Sequence, residues 1–173
     1  MVIPSTLEVL EKDTFCGCRR LSSVTFAEGS RLREIGPNCF AFTALKTFEA
    51  PPNLKKIFRG AFCFCRNLQR VVLNEGLEAL GEDDEPNKMK GHNMWDPLIN
   101  KSTFEDSGLK EIVLPGTLVK LSENSFQQCR SLKRVWVEQR CQIRVKDYLQ
   151  PEVDAQVFRA EDGNPLNSTK NNK

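Results

Sequence analysis

The chain has 173 residues, of which 25 are Lys or Arg and 23 are Asp or Glu, for a formal net charge of +2. So even a balance argues against a dedicated nucleic-acid binder, which carries a strong basic excess. The sequence has no apolar run of about 18 residues, so it offers no membrane-spanning helix. A hydrophobic content of 39% is enough for one domain with a continuous core.

The first residues, Met1 to Glu8, lack a basic stretch followed by an apolar one and do not read as a secretory signal. They enter in the middle of a pattern. Ile3-Pro4 followed by Leu7 and Leu10 matches Leu114-Pro115 followed by Leu118 and Leu121. Stacked repeats need specialised ends, so the expectation is an N-terminal edge covered by missing repeats or by another chain.

From here a pattern returns five times. Its anchors are Phe15, Phe40, Phe62, Phe104 and Phe126, spaced 25, 22, 42 and 22 residues apart. Each is followed by a leucine (Leu21, Leu45, Leu68, Leu109, Leu132) and then by Val24, Phe48, Val71, Ile112 or Val135. Two residues later stands Phe26, Ala50, Leu73, Leu114 or Val137. A repeat of this length predicts a solenoid, each coil burying its apolar face against its neighbours. Within a coil, Leu68 to Leu73 alternates as a strand, Asn74 to Gly76 turns the chain, and Leu77 to Gly81 is a second extended segment. Ser122 to Phe126 and Gly36 to Phe40 read as single helical turns, opened by Ser122 as a cap or by Pro37. The residue before each anchor is small (Thr14, Cys39, Ala61, Thr103, Ser125), which predicts close approach of the adjacent coil.

The long interval between Phe62 and Phe104 marks an insertion over 82–100. It begins with an acidic run, Glu82 to Glu85, and ends in Met94-Trp95-Asp-Pro-Leu98-Ile99. Trp95 is expected to dock onto the solenoid. After Glu138 no anchor unit recurs. Pro151 to Phe158 resembles a short helix, so 139–162 is expected to cap the last coil. The polar stretch 163–173 is expected to be a disordered tail.

Phe15-x-x-Cys18-x-x-Leu21, Phe62-x-x-Cys65-x-x-Leu68 and Phe126-x-x-Cys129-x-x-Leu132, with Ala61-Phe62, Ile35-Gly36 and Leu80-Gly81, resemble the Treponema pallidum-type leucine-rich repeat of BspA-like proteins. The resemblance covers 3–138 apart from the insertion. Phe40 to Leu45 and Phe104 to Leu109 are one-residue-shorter variants, with Thr43 and Ser107 in place of cysteine, and Ala27 and Asn74 stand where the family has proline. With the repeat pattern it gives the expected fold class: an α/β leucine-rich repeat solenoid with about five repeats of 22–25 residues, one insertion and a C-terminal cap. The resemblance itself implies a right-handed superhelix with short parallel strands on a concave face, used for protein contact or adhesion.

Seven cysteines raise two other readings. Cys16-Gly-Cys18 and Cys63-Phe-Cys65 could supply four zinc thiolates, but a whole coil separates the pairs, about 10 Å by strand stacking, and zinc sites favour Cys-x-x-Cys. Adjacent units lack paired cysteines, so a disulfide ladder fails too. Buried free thiols are the expectation. They favour a reducing, cytoplasmic setting, with the cell surface as the alternative if the chain is part of a longer protein. The single histidine, His92, lies in the insertion, and there is no phosphate-binding glycine loop. No catalytic residue, metal site or cofactor is therefore expected, and the chain is read as a non-enzyme.

Function in a solenoid belongs to exposed strand residues. Alternation places Ser22, Ser23 and Thr25; Lys46, Thr47 and Glu49; Gln69, Arg70 and Val72; Lys110, Glu111 and Val113; and Lys133, Arg134 and Trp136 on one wet face. Basic residues outnumber acidic ones there, and Val72, Val113 and Trp136 form an apolar strip. Lys46, Arg70, Val72, Lys110, Val113, Lys133, Arg134 and Trp136 are the candidate partner-binding residues, Trp and Arg being enriched at interface hot spots. The expected partner is a protein, not a nucleic acid or a membrane. The alternative is a fragment of a microbial cell-surface adhesin.

Overall fold

The computed structural model describes residues 1–82, 102–151 and 153–160. The chain winds as a parallel β-solenoid. β5 (Thr47–Glu49), β7 (Arg70–Val72), β9 (Glu111–Leu114), β11 (Arg134–Glu138) and β12 (Gln156–Ala160) form one sheet in that order. β2 (Val9–Leu10), β4 (Glu34–Ile35), β6 (Lys56–Phe58), β8 (Ala79–Glu82) and β10 (Lys120–Leu121) form a second. β1 (Val2–Ile3) pairs with β3 (Thr25–Phe26), and a bond from Lys46 N to Ser22 O at 3.3 Å carries that pair on toward the first sheet. All strand pairs are parallel.

The strands follow from alternation. In β5, Phe48 is buried between exposed Thr47 and Glu49; in β7, Val71 is buried between Arg70 and Val72. Each buried residue meets its equivalent one coil away, Phe48 opposite Val71 and Val71 opposite Ile112.

The helical half of the expected α/β class is not found. The only helix among the described residues is one 3-10 turn, Val145–Tyr148. The cause lies in where the anchor amides go. Phe15 N, Phe40 N and Phe62 N each donate at 2.8 Å to Cys39 O, Ala61 O and Thr103 O of the next coil, and Phe104 N donates to Ser125 O at 3.1 Å. Amides committed between coils cannot close helical turns. The backbone then turns left-handed two residues after every anchor, at Gly17, Phe42, Phe64, Asp106 and Gln128, with φ between 49° and 74°. The segment from Pro151 differs likewise. It runs into strand β12 instead of a helix, with Gln156 N bonded to Lys133 O at 2.9 Å. Pairing with β11 gives its backbone a full row of partners and brings Phe158 onto Trp136.

Phe40, Phe62, Phe104 and Phe126 are wholly buried. From Phe15 to Phe126 successive rings stack with centroids 5.3, 5.5, 5.6 and 6.0 Å apart and planes within 16°. The small residues before the anchors, Cys39, Ala61, Thr103 and Ser125, are buried at the coil contacts. The Phe104 to Leu109 turn has its own steric demand: a Cβ on Gly108 would lie 2.1 Å from Arg66 O, so this turn requires glycine there.

Candidate recognition face

The first sheet brings the candidate residues into two columns. Thr47, Arg70, Glu111, Arg134 and Gln156 are register neighbours, and so are Glu49, Val72, Val113, Trp136 and Phe158. Lys46, Lys110, Lys133 and Arg134 are exposed, and Arg70, Val72 and Trp136 are half-buried. Val113 departs from the alternation: it is only 1% exposed, although its neighbours in the column face outward. It sits between Val72 and Trp136 in register, at the floor of the strip.

The charges are partly tied up. Arg134 grips the Glu111 carboxylate through Nε at 3.2 Å and a terminal nitrogen at 2.9 Å. Lys110 Nζ donates to Gln69 Oε1 at 3.3 Å. Trp136 stacks on Phe158, centroids 4.6 Å apart and planes 26° from parallel. Phe158 joins this face beyond the residues expected from sequence, because its segment forms a strand where Pro151 suggests a helix; the alternation Gln156-Val157-Phe158-Arg159 is the signal for it. Two donors on this face are buried with no acceptor among the described residues, Arg70 Nε and Trp136 Nε1.

The second sheet carries a cluster that alternation on the first could not reveal. Arg31, Arg33, Asn53 and Lys55 line an open surface depression with Glu8, and Lys55 pairs with Glu78 at 3.0 Å. On the same sheet Glu82 takes both Lys56, at 3.8 Å, and Lys120.

All seven cysteines carry free thiols. Cys39, Cys63, Cys65, Cys129 and Cys141 are buried, Cys16 is half-buried and Cys18 is exposed. Burial pushes the Cys39 and Cys129 thiols up to about 12 and that of Cys65 up to about 11, and it raises Cys141 as well. Such thiols are poor nucleophiles. Among the described residues no three metal-ligating side chains gather, and no helix is long and apolar enough to cross a membrane. The insertion expected at 82–100, with His92, Trp95 and the acidic run beyond Glu82, lies outside the described residues, as does the tail 163–173.

Coils that give strands to two parallel sheets, wrapped around an aromatic ladder, define a repeat solenoid. The family model for the BspA-type leucine-rich repeat region matches in six copies, over residues 1–83 and 97–148. The chain belongs to this family. The turn after β11 continues the core with buried Cys141 and Val145.

Among solved structures, the chain resembles the pneumococcal vaccine antigen PcpA at 26% identity and a TM-score of 0.66, over 81% of this chain and 30% of that one. It resembles the T. pallidum leucine-rich repeat protein at 24% identity and a TM-score of 0.58, over 79% of this chain and 57% of that one. A leucine-rich cell surface protein from Faecalibacterium prausnitzii matches at 19% identity and a TM-score of 0.51, over 79% of this chain and 38% of that one. The chain thus spans less than two thirds of each of these proteins. No curated protein matches the sequence significantly.

Proposed function

We propose that this solenoid is a non-enzymatic interaction module that binds a protein partner on the outward face of its first sheet. The observation that carries this reading is the register of that face. Val72, Val113, Trp136 and Phe158 form a continuous apolar column across four strands, and exposed Lys46, Lys110 and Lys133 stand beside it. An apolar centre with a polar rim is the usual layout of a protein interface. The residues proposed to make contact are Lys46, Arg70, Val72, Lys110, Lys133, Arg134 and Trp136, with Phe158 added and Val113 as the floor. No cofactor enters this function.

A photo-crosslinking amino acid placed at Lys46 or Lys110 tests it against the same group at Arg33 on the second sheet. Protein adducts are expected from the first two positions, and adding Lys133→Glu to either chain should weaken them with the melting temperature unchanged. Adducts from Arg33 alone, or from none of the positions, would refute the assignment.

A second reading has its own support. The likeness to a pneumococcal antigen favours a segment of a microbial surface adhesin, using the same face outside the cell. The free thiols favour the cytoplasm. A reading frame that carries a secretion signal or surface anchor in the encoded protein decides for the surface.

A further inference from the structure

We propose that the second sheet carries a separate site for a phosphate monoester, held by Arg31 and Arg33. It lies apart from the proposed interaction face and does not depend on that reading. The depression lined by Glu8, Arg31, Arg33, Asn53 and Lys55 has a volume of about 520 Å³. Small-ligand sites usually enclose roughly 300–1,000 Å³. Here three of the five lining side chains are cations and none is apolar, so the space suits an anion.

The strand period builds this arrangement. Leu32 is wholly buried, so alternation turns Arg31 and Arg33 outward on the same side of the chain. Arg33 N donates to Glu8 O at 2.7 Å and Lys55 N to Arg33 O at 2.8 Å, which stacks Glu8, Arg33 and Lys55 in one column over three coils. Asn53 Nδ2 donates to Ser30 O at 2.7 Å and ties the second and third coils together beside that column. Arg31 and Arg33 are exposed, and among the described residues neither forms an ion pair. Lys55 is already held by Glu78 at 3.0 Å, so the arginines are the available donors. Two guanidinium forks around one space suit a group with three terminal oxygens, since each fork can bond two oxygens at once. Two unpaired cations also match the two charges of a phosphate monoester above its second pKa of about 6. The space is many times that of a bare phosphate, and the remainder accommodates the esterified alcohol. Glu8 opposes the bound charge.

Titrating the intact chain with glycerol 2-phosphate, followed through the arginine Nε–H resonances, tests the site. The Arg31 and Arg33 signals should move and saturate, while those of Arg19 and Arg20, exposed outside the depression, should stay in place. Arg31→Gln and Arg33→Gln should each weaken binding about ten-fold or more. Both side chains are exposed, so melting without ligand should not change. Glu8→Gln should tighten binding, and affinity should fall between about pH 7 and about pH 5 as the ester takes up its second proton. Inorganic phosphate that binds as tightly as the ester would overturn the monoester assignment. Shifts that never saturate, or that spread equally to Arg19 and Arg20, would show general charge screening and overturn the site.

Discussion

Phe42 and Phe62 are the same residue type under opposite constraints. Phe62 is fully buried, stacked on Phe40 at 5.5 Å and on Phe104 at 5.6 Å. Phe62→Ala removes a rung from the ladder and should cost about 3–5 kcal/mol. Phe42 is half-buried and sits at a φ of 58°, where a bulky side chain is strained by roughly 1–2 kcal/mol. Its stack on Phe64, with centroids 4.6 Å apart, returns about 0.5–1.5 kcal/mol. Phe42→Gly loses the stack and the ring's packing on Ala41 and Cys63 but relieves the strain, so it should cost clearly less than Phe62→Ala. Urea unfolding of both variants checks the contrast; equal losses would mean that the strain at Phe42 is absent. The anchors were legible in the sequence because each recurs with the same flanking apolar residues. The left-handed column was not read, although Gly17 and Asp106 at its equivalent positions were a cue. What hid it is that the turn is fixed by bonds to the neighbouring coil and not by the local residue.

At the scale of a coil turn, the cysteines explain themselves as donors between coils. Cys65 Sγ donates to Phe40 O and Cys129 Sγ to Phe104 O, each at 3.0 Å. Thr43 Oγ1 stands 3.2 Å from Cys65 Sγ, and Ser107 Oγ 3.8 Å from Cys129 Sγ. A small group with one S–H fits between stacked coils and satisfies the carbonyl of the anchor before it. Burial raises the pKa of Cys65 to about 11 and those of Cys39 and Cys129 to about 12, from the ordinary 9.0. Between those values the folded chain holds protons that the unfolded chain has released. The sign is therefore fixed: the contribution of these thiols to stability is constant below about pH 9 and falls as pH rises, by up to about 1.4 kcal/mol per unit for each thiol. The urea midpoint followed from pH 7 to 11 measures it. At pH 8, iodoacetamide should modify exposed Cys18 first and reach Cys39, Cys65 and Cys129 only on unfolding; rapid labelling of Cys65 in the native chain would contradict the buried-donor role. The sequence disclosed the spacing of these thiols, and so argued against zinc. Their carbonyl partners lie in other coils and became visible only once the coils were stacked.

At the scale of the whole molecule, the described strands pair between neighbouring coils, and that sets how the chain opens. Every strand pair joins adjacent turns, so stability is a sum of coil and interface contributions, with the ends least supported. At the N-terminal edge, Val2 is 63% exposed and Val9 39%, and Phe15 stacks on one ring where Phe40 and Phe62 each stack on two along the ladder. Two backbone bonds isolate this effect. Phe15 N to Cys39 O and Phe62 N to Thr103 O have the same length, 2.8 Å, and occupy the same place in the repeat. They differ in their position along the stack. Native-state hydrogen exchange should therefore release the Phe15 amide at least about ten-fold faster than that of Phe62. Equal protection would show that the coils open as one cooperative unit, which nearest-neighbour coupling permits only where the interfaces between coils are much stronger than the coils themselves. A graded result would locate the weakest interface at the first coil, the edge where an added strand would find exposed valines and a half-covered aromatic ring.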